Sequence, residues 1–383
     1  MIKIFLWGYY GCNNIGDDIL LSLLLKKILK EKDNVIITVV VKNKYKEFDY
    51  INNVNFITNS VPINNKYSAI IGNIKFYLHH IKNSDFVIFG GGTSLFETEK
   101  TRYKSLLVKY IILLINNKLY RRPIYHIGVG VGKIETTIGK FCFKQIVRFS
   151  EFINLREKQS YEKVLSISKN KEKVSLGNDL AYLHIYDKEP KNNNNINIGI
   201  SLFQYYGYIS DDISKKELFY NSCKKMLKDI IDLNESIHIY LFSFQTGMGG
   251  YDQDFLQNLK DEIQNQKVHI ISYSTDTDFF IKKLKTMDLC IGMRLHFLIL
   301  SIIHKIPIIG LNYQPKIVYE LTSLEISPFC IEIDNISHVL NIVKQYITDP
   351  DTFYSSFSQA FKLVELKNSQ VNGVLSQILS DIR

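Results

Sequence analysis

This chain has little with which to build disulfides, a zinc centre or a membrane span. Its five cysteines, Cys12, Cys142, Cys223, Cys290 and Cys330, stand far apart, without the paired spacing of a disulfide framework or a zinc site. A reducing cytoplasm suits them. His79-His80 has no third ligand nearby in sequence, so no metal is expected there. The apolar runs LLVKYIILLI and LHFLILSII are shorter than the ~20 residues a membrane helix needs. Only a short apolar run precedes Gly8, so neither a secretory leader nor a spanning helix is expected. No basic stripe interleaved with aromatics is present, which argues against nucleic acid as a partner. HIGVGVGK at 126–133 fits neither GxGxxG nor GxxxxGK[ST], so both nucleotide fingerprints are rejected.

The chain is well supplied with apolar residues, at 46% of 383, which is enough for more than one core. Two domains are the default. The formal charge of +9 is spread along the length and suits an anionic ligand or an anionic membrane surface. Buried-strand runs recur as IKIFLW, VIITVVV, DFVIFG, PIYHIGV and FINLR, with helical patterns at 18–31, 101–118 and 136–150 between several of them. After the Asn-rich KNNNNIN at 191–197 the pattern restarts with IGISL, a helix near 214–233, HIYLFSF, VHIISY, DLCIG and PIIGLNY. This predicts an α/β protein with two Rossmann-like, doubly wound domains. They cover 1–190 and 198–335, the second holding a donor site, and a helical segment at 336–383 packs back on the first. Ligands of such folds sit outside the carboxyl ends of the strands, so the informative residues should lie just after strands.

Three post-strand loops qualify. GYYGCNNIGDD at 8–18 joins glycines to a helix start, where backbone N–H groups can meet phosphate or sugar hydroxyls. Two aspartates there disfavour a bare phosphate cradle, and as caps or hydroxyl ligands they make sense. Gly11, Asn14, Gly16 and Asp17 are its candidate residues. GGGTSLFE at 90–97 supplies Gly91, Gly92, Thr93 and Glu97 for close approach of a sugar. The sharpest segment is IGMRLHFLILSIIHKIPIIGLNYQPK at 291–316. Arg294 can grip a carboxylate or phosphate with two prongs at a helix N-terminus, and His296 can serve as a proton donor beside that anion. Asp276-Thr-Asp278 reads as an N-cap, and Cys12 as a packed thiol without a base.

Together GYYGCNNIGDDILL, DFVIFGGGTSLFE, HIGVGVGKI, NLREKQSYE, LGNDLAY and GMRLHFLILSIIHKIPIIGLNYQPKI resemble the polysaccharide pyruvyltransferase family, in its order, from residue 4 to about 317. The resemblance implies a fold similar to that of GT-B glycosyltransferases. It also implies phosphoenolpyruvate as donor with no further cofactor, and a pyruvate ketal bridging two sugar hydroxyls as product. It places Arg294 and Leu295 at the donor, His296 as the acid and His126 as a second active-site histidine. Arg156 matches a recurrent arginine. The chain departs from the family at Lys133, often Pro, at Phe203 and Gln204, where an Arg is usual, and at Gln314, often Asp. Lys133, Lys316 or Arg156 can stand in for the missing Arg. Glu97 or Asp17 either accepts hydroxyl protons or positions the sugar. The acceptor expected is a lipid-diphosphate-linked sugar met at the inner face of the cell membrane. Two other readings stay open: a GT-B glycosyltransferase using a nucleotide sugar, and a noncatalytic glycan-assembly protein.

Overall fold

The computed structural model describes residues 1–43, 51–59, 66–98, 102–187, 195–246, 251–273 and 276–381. Of the Asn-rich stretch, residues 191–194 lie outside the described residues. The chain forms two compact units. The first comprises Met1–Cys12, Asp17–Leu183 and Ser369–Arg383, and the second comprises Asn13–Gly16 and His184–Asn368. Four residues at the start of α1 and just before it are thus part of the second unit.

In the first unit, β1 (Ile2–Tyr10), α1 (Ile15–Glu31), β2 (Val35–Val41), β3 (Val54–Thr58), α2 (Lys66–Lys82), β4 (Phe86–Gly90) and β5 (Thr93–Leu95) come first. They are followed by α3 (Lys104–Ile115), a π-helical turn (Asn116–Tyr120), β6 (Ile124–Val131), α4 (Thr137–Phe149), β7 (Phe152–Leu155), α5 (Lys158–Ile167) and β8 (Val174–Leu176). Among the described residues the sheet has eight parallel strands in the order β3-β2-β1-β4-β6-β7-β8, with β5 beside β6. Strands covered on both faces need no polar alternation, and all eight residues of β6 are buried. One face of this sheet meets Ile81 of α2, Leu106, Ile112 and Leu113 of α3, and Cys142, Phe143, Ile146 and Val147 of α4.

The second unit contains β9 (Ile196–Ser201), α6 (Lys216–Ile231), β10 (Ile237–Phe242), α7 (Tyr251–Ile263), β11 (Val268–Ile271), α8 (Thr277–Leu284) and β12 (Leu289–Gly292). It continues with α9 (Leu295–Ile303), β13 (Ile308–Asn312), α10 (Pro315–Ser323), β14 (Cys330–Glu332), α11 (Val339–Thr348) and α12 (Pro350–Ser355). Its six strands, all parallel, run β11-β10-β9-β12-β13-β14, the order of a doubly wound dinucleotide-binding sheet. The order reverses between β9 and β12. The last helix, α13 (Ser358–Asp381), begins in the second unit and contributes its residues from Ser369 onward to the first. There Ser376 accepts a hydrogen bond from Lys27 (3.1 Å) and donates one to Glu31 (2.5 Å). Asp276 accepts from the Phe279 N–H at 2.9 Å and so caps α8, the role its sequence indicates.

Candidate functional site

In the second unit the polar groups gather where the sheet order reverses. The chain leaves β9 at Ser201 and β12 at Gly292, so Phe203 and Arg294 emerge from neighbouring strand ends. Arg294 is the N-cap of α9, with an extended backbone (φ −83°, ψ 119°). Its Nε donates to Asp252 Oδ2 at 3.0 Å, and its Nη2 donates to Asp252 Oδ1 and to Gln245 Oε1 (3.3 Å). The Phe203 ring lies under the guanidinium, 4.3 Å from its carbon, and Tyr313 meets Phe203 edge-on at 5.0 Å. A cation on an aromatic face with a bidentate carboxylate has little freedom to swing.

Asp252 itself is wholly buried near the start of α7 and also accepts the Phe244 N–H at 3.2 Å. Burial raises its carboxyl above the ordinary value against the pull of Arg294 and the backbone N–H donors. For Arg294 burial works against the charge, but Asp252 overrides it and holds the guanidinium above its ordinary value. Among the described residues Asp252 takes Nε and Nη2, leaving Nη1 of Arg294 for a ligand. The Arg294 side chain retains 17% exposure.

His296 is the second residue of α9, and its Nδ1 lies against the backbone of Gly16. A Cβ on Gly16 would fall 2.2 Å from that nitrogen, so only glycine lets the ring occupy this place. Gly16 is held there by its neighbours. Asn14 forms an antiparallel bridge with Gln245, its Oδ1 accepts the Gly16 N–H at 3.1 Å, and the Ile15 N–H donates to the Phe244 carbonyl at 3.0 Å. The same Gln245 that contacts Arg294 therefore also fixes Asn14, just ahead of the helix start that carries Gly16. Leu295 is buried beneath, and Lys316, in the first turn of α10, lies 5.9 Å from the Tyr313 ring. Of the sequence candidates, Asn14, Gly16, Arg294, Leu295, His296 and Lys316 fall in this unit.

The other candidates lie in the first unit and divide by role. Gly11, at φ +65°, has both backbone groups engaged: its N–H donates to Asp18 Oδ1 (2.9 Å) and its carbonyl accepts from the Asn43 N–H (3.1 Å). Gly91 and Gly92 also have positive φ, and Asp17 Oδ1 is 3.3 Å from where a Gly92 Cβ would be. Thr93 Oγ1 accepts from Arg156 Nη2 at 3.0 Å, and Arg156 Nη1 donates to the buried Asp179 at 2.7 Å. Arg156 is thus a buried, paired cation beside the Gly-rich loop, and Asp179 comes from LGNDLAY.

Two expectations need correction. His126 is not placed as a catalytic histidine. It is wholly buried inside β6, stacked on Phe89 at 4.6 Å, and burial with Lys109 and Lys173 nearby pushes its pKa down to about 3. Neither ring nitrogen has a hydrogen-bond partner among the described residues. A neutral imidazole with no route to solvent is a core residue. Glu97 is likewise engaged in structure. Its carboxylate accepts from the N–H groups of Glu135 (2.8 Å) and Thr136 (3.0 Å) and from the Thr136 hydroxyl (2.5 Å), tying its loop to the start of α4. Desolvation opposes the charge, but these bonds outweigh it and hold the carboxyl below its ordinary value. The Cys12 thiol is pushed up to about 11 by burial, the opposite of nucleophile activation.

Sequence reasoning missed Asp252 and Gln245. YDQDF reads as an ordinary acidic first turn, and nothing local couples it to an arginine 42 positions on. Phe203 was visible only as a departure.

A family model described as polysaccharide pyruvyl transferase matches residues 14–315. No curated protein matches the sequence. Among solved structures, Anabaena Alr3699/HepE in complex with UDP and glucose is similar over 99% of each chain (TM-score 0.65, 14% identity). A UDP-N-acetylglucosamine 2-epimerase described as putative, from Listeria monocytogenes, is similar over 98% of this chain and 94% of its own (TM-score 0.61, 12% identity). The UDP-GlcNAc 2-epimerase of Methanocaldococcus jannaschii is similar over 90% and 92% (TM-score 0.59, 14% identity). At such identities the likeness speaks for the fold, a GT-B-like pair of Rossmann-like domains.

Proposed function

Since the chain belongs to the polysaccharide pyruvyl transferase family, we propose that it transfers the pyruvyl group of phosphoenolpyruvate to two hydroxyls of one sugar in a polysaccharide precursor. The observation that carries this reading is the fixed Arg294 with His296 two residues on, both at the N-terminus of α9. The donor carries a carboxylate and a phosphate. The helix N-terminus and the Nη1 edge of Arg294 offer a positive, directional seat for one of them, and Lys316 adds charge nearby. Phe203, where an arginine is usual, stacks beneath Arg294, so Arg294 has an aromatic floor and no second guanidinium to repel it.

In the chemistry proposed, His296 protonates the methylene carbon of the enol, which makes C2 electrophilic. A sugar hydroxyl adds to C2 and loses its proton. The C2–O bond to phosphate breaks, and the resulting oxocarbenium is attacked by a second hydroxyl, which also loses its proton. One of the two released protons restores His296 and the other leaves with the phosphate, so the products are one cyclic ketal and one inorganic phosphate. Asp17 remains the carboxylate proposed to meet the acceptor, and the Gly91-Gly92-Thr93 loop the backbone proposed to approach it, whereas the bonds of Glu97 assign that residue to structure.

Thermal denaturation tests the donor. Phosphoenolpyruvate should raise the melting temperature by mass action, and a nucleotide sugar should not. The rival reading draws on neighbours solved with UDP and glucose or UDP-GlcNAc. Stabilisation by a UDP-sugar with no response to phosphoenolpyruvate would decide for it.

A further inference from the structure

One side of the first unit has an unusual charge pattern. Three helical segments, α2, α3 with the π-turn that follows it, and α4, together span 47 residues and contain three Lys or Arg each and no Asp or Glu. Acids make up 38 of the 383 residues, so a stretch of that length would ordinarily hold four or five. The source's taste for lysine does not explain their absence, because α1, α5, α6 and α7 all carry acids. α3 packs against both α2 and α4, so the three form one continuous layer over the sheet.

The outer face of this layer combines cations with exposed apolar groups. Lys75, Lys118, Lys140, Lys144 and Arg148 are exposed. Between them stand Ile71 (53% exposed), Leu119 (69%), Ile138 (46%) and Phe141 (52%), and Ile111, Leu114 and Ile115 of α3 are only half-buried. Of the acids flanking the layer among the described residues, Glu97 lies in the α4 cap, Glu135 is 2.7 Å from Lys133 and Asp85 is 3.9 Å from Arg122, and Glu151, just past α4, is exposed. No helix among the described residues is long and apolar enough to cross a membrane.

We propose that the outer face of α2, α3 and α4 is a docking surface for an anionic phospholipid bilayer. Lysine and arginine side chains meet the headgroups, and Phe141, Ile138 and Leu119 enter the interfacial layer. The charge sign selects anionic lipid, and the exposed aliphatic side chains distinguish a bilayer from a nucleic-acid duplex, whose phosphates give such groups no apolar region to enter. Anchoring here would hold the enzyme at the surface where a lipid-linked sugar is found, but the docking surface stands independently of the reaction proposed above.

The test is sedimentation of the full chain with vesicles of phosphatidylcholine alone and of phosphatidylcholine with phosphatidylglycerol. Binding should require the anionic lipid and weaken with salt. The triple variant Lys140→Glu, Lys144→Glu, Arg148→Glu should weaken it by two orders of magnitude, at about fivefold per cation lost. Three reversals in the second unit, Lys282→Glu, Lys283→Glu and Lys344→Glu, match it in net charge and should weaken binding far less. In a Phe141→Trp variant, emission should shift to the blue on anionic vesicles, against the background of the single buried Trp7. Equal binding to neutral vesicles, equal loss in both triple variants, or no shift from Trp at 141 would overturn the proposal. So would a DNA duplex that binds as tightly as the vesicles and loses affinity in the same triple variant.

Discussion

Arg294 presents one edge of its guanidinium because Asp252 holds the other. That arrangement separates binding from chemistry in the two neighbouring side chains. Arg294→Lys keeps the charge but neither spans Asp252 bidentately nor lies flat on Phe203, so donor affinity should fall chiefly. His296→Gln keeps a polar side chain of similar reach without an acid for neutral pH, so turnover should fall by roughly 10²–10⁴-fold while donor binding survives. Calorimetry of donor binding and mass spectrometry of ketal formation measure the two effects, with a cooperative melt confirming that each variant folds. A His296→Gln enzyme turning over at the wild-type rate would make the histidine a packing residue. The Arg-Leu-His triplet was legible in the sequence because its three members are consecutive. Its supports were not, because Asp252 and Gly16 reach it only through the crossing of the chain.

At the scale of elements, α4 begins with two caps. Thr136 Oγ1 accepts the Gly139 N–H at 2.9 Å, and Glu97, from a loop 39 positions earlier, takes the N–H groups of Glu135 and Thr136. Removing the charge with Glu97→Gln should lower stability at pH 7 by about 1 kcal/mol, less than the ~1.5–3 kcal/mol of a buried charge-assisted bond because the group is solvent-screened. The folded carboxyl lies below its ordinary 4.5, so this stabilisation is complete above that value and is lost as pH falls through the lower folded one. Melting curves of the two proteins should therefore differ at pH 7 and converge at low pH. A gap that persists unchanged into strong acid would deny the carboxylate its role. The sequence marks Glu97 as a polar residue after a glycine loop, a position equally apt for a sugar contact. The backbone donors it meets come from a different connection, so only the fold separates the two roles.

For the whole molecule, acid should be destabilising through His126. Its ordinary value is 6.5, and in the folded chain it is lowered to about 3, so the folded core refuses a proton that the unfolded chain binds. The stability it permits is fully present above pH 6.5 and falls as pH drops towards about 3, by up to ~1.4 kcal/mol per unit. His126→Leu should remove that component and leave the protein no less stable at neutral pH, since neither ring nitrogen has a hydrogen-bond partner among the described residues. Denaturant midpoints at pH 7 and pH 4.5 measure this. Parallel losses in both proteins would mean the imidazole is not a neutral core group. Catalysis by the variant should be retained.

The sequence by itself determined five of the eight strands of the first sheet and five of the six of the second, the two doubly wound domains, the glycine loops at strand ends and the Arg-Leu-His segment at the head of α9. These are local patterns, set by side-chain period, by turn residues and by consecutive spacing. Short or polar elements such as β3, β5, β8, α2 and α7 carry too weak a period to be read locally. Tertiary structure alone decided that β6 hides His126 within the first core, that Glu97 caps a helix, that Asp252 and Phe203 immobilise Arg294, and that Gly16 makes room for His296. Each of these depends on which distant segments are brought into contact, and a polar residue's role follows from the partner it meets there.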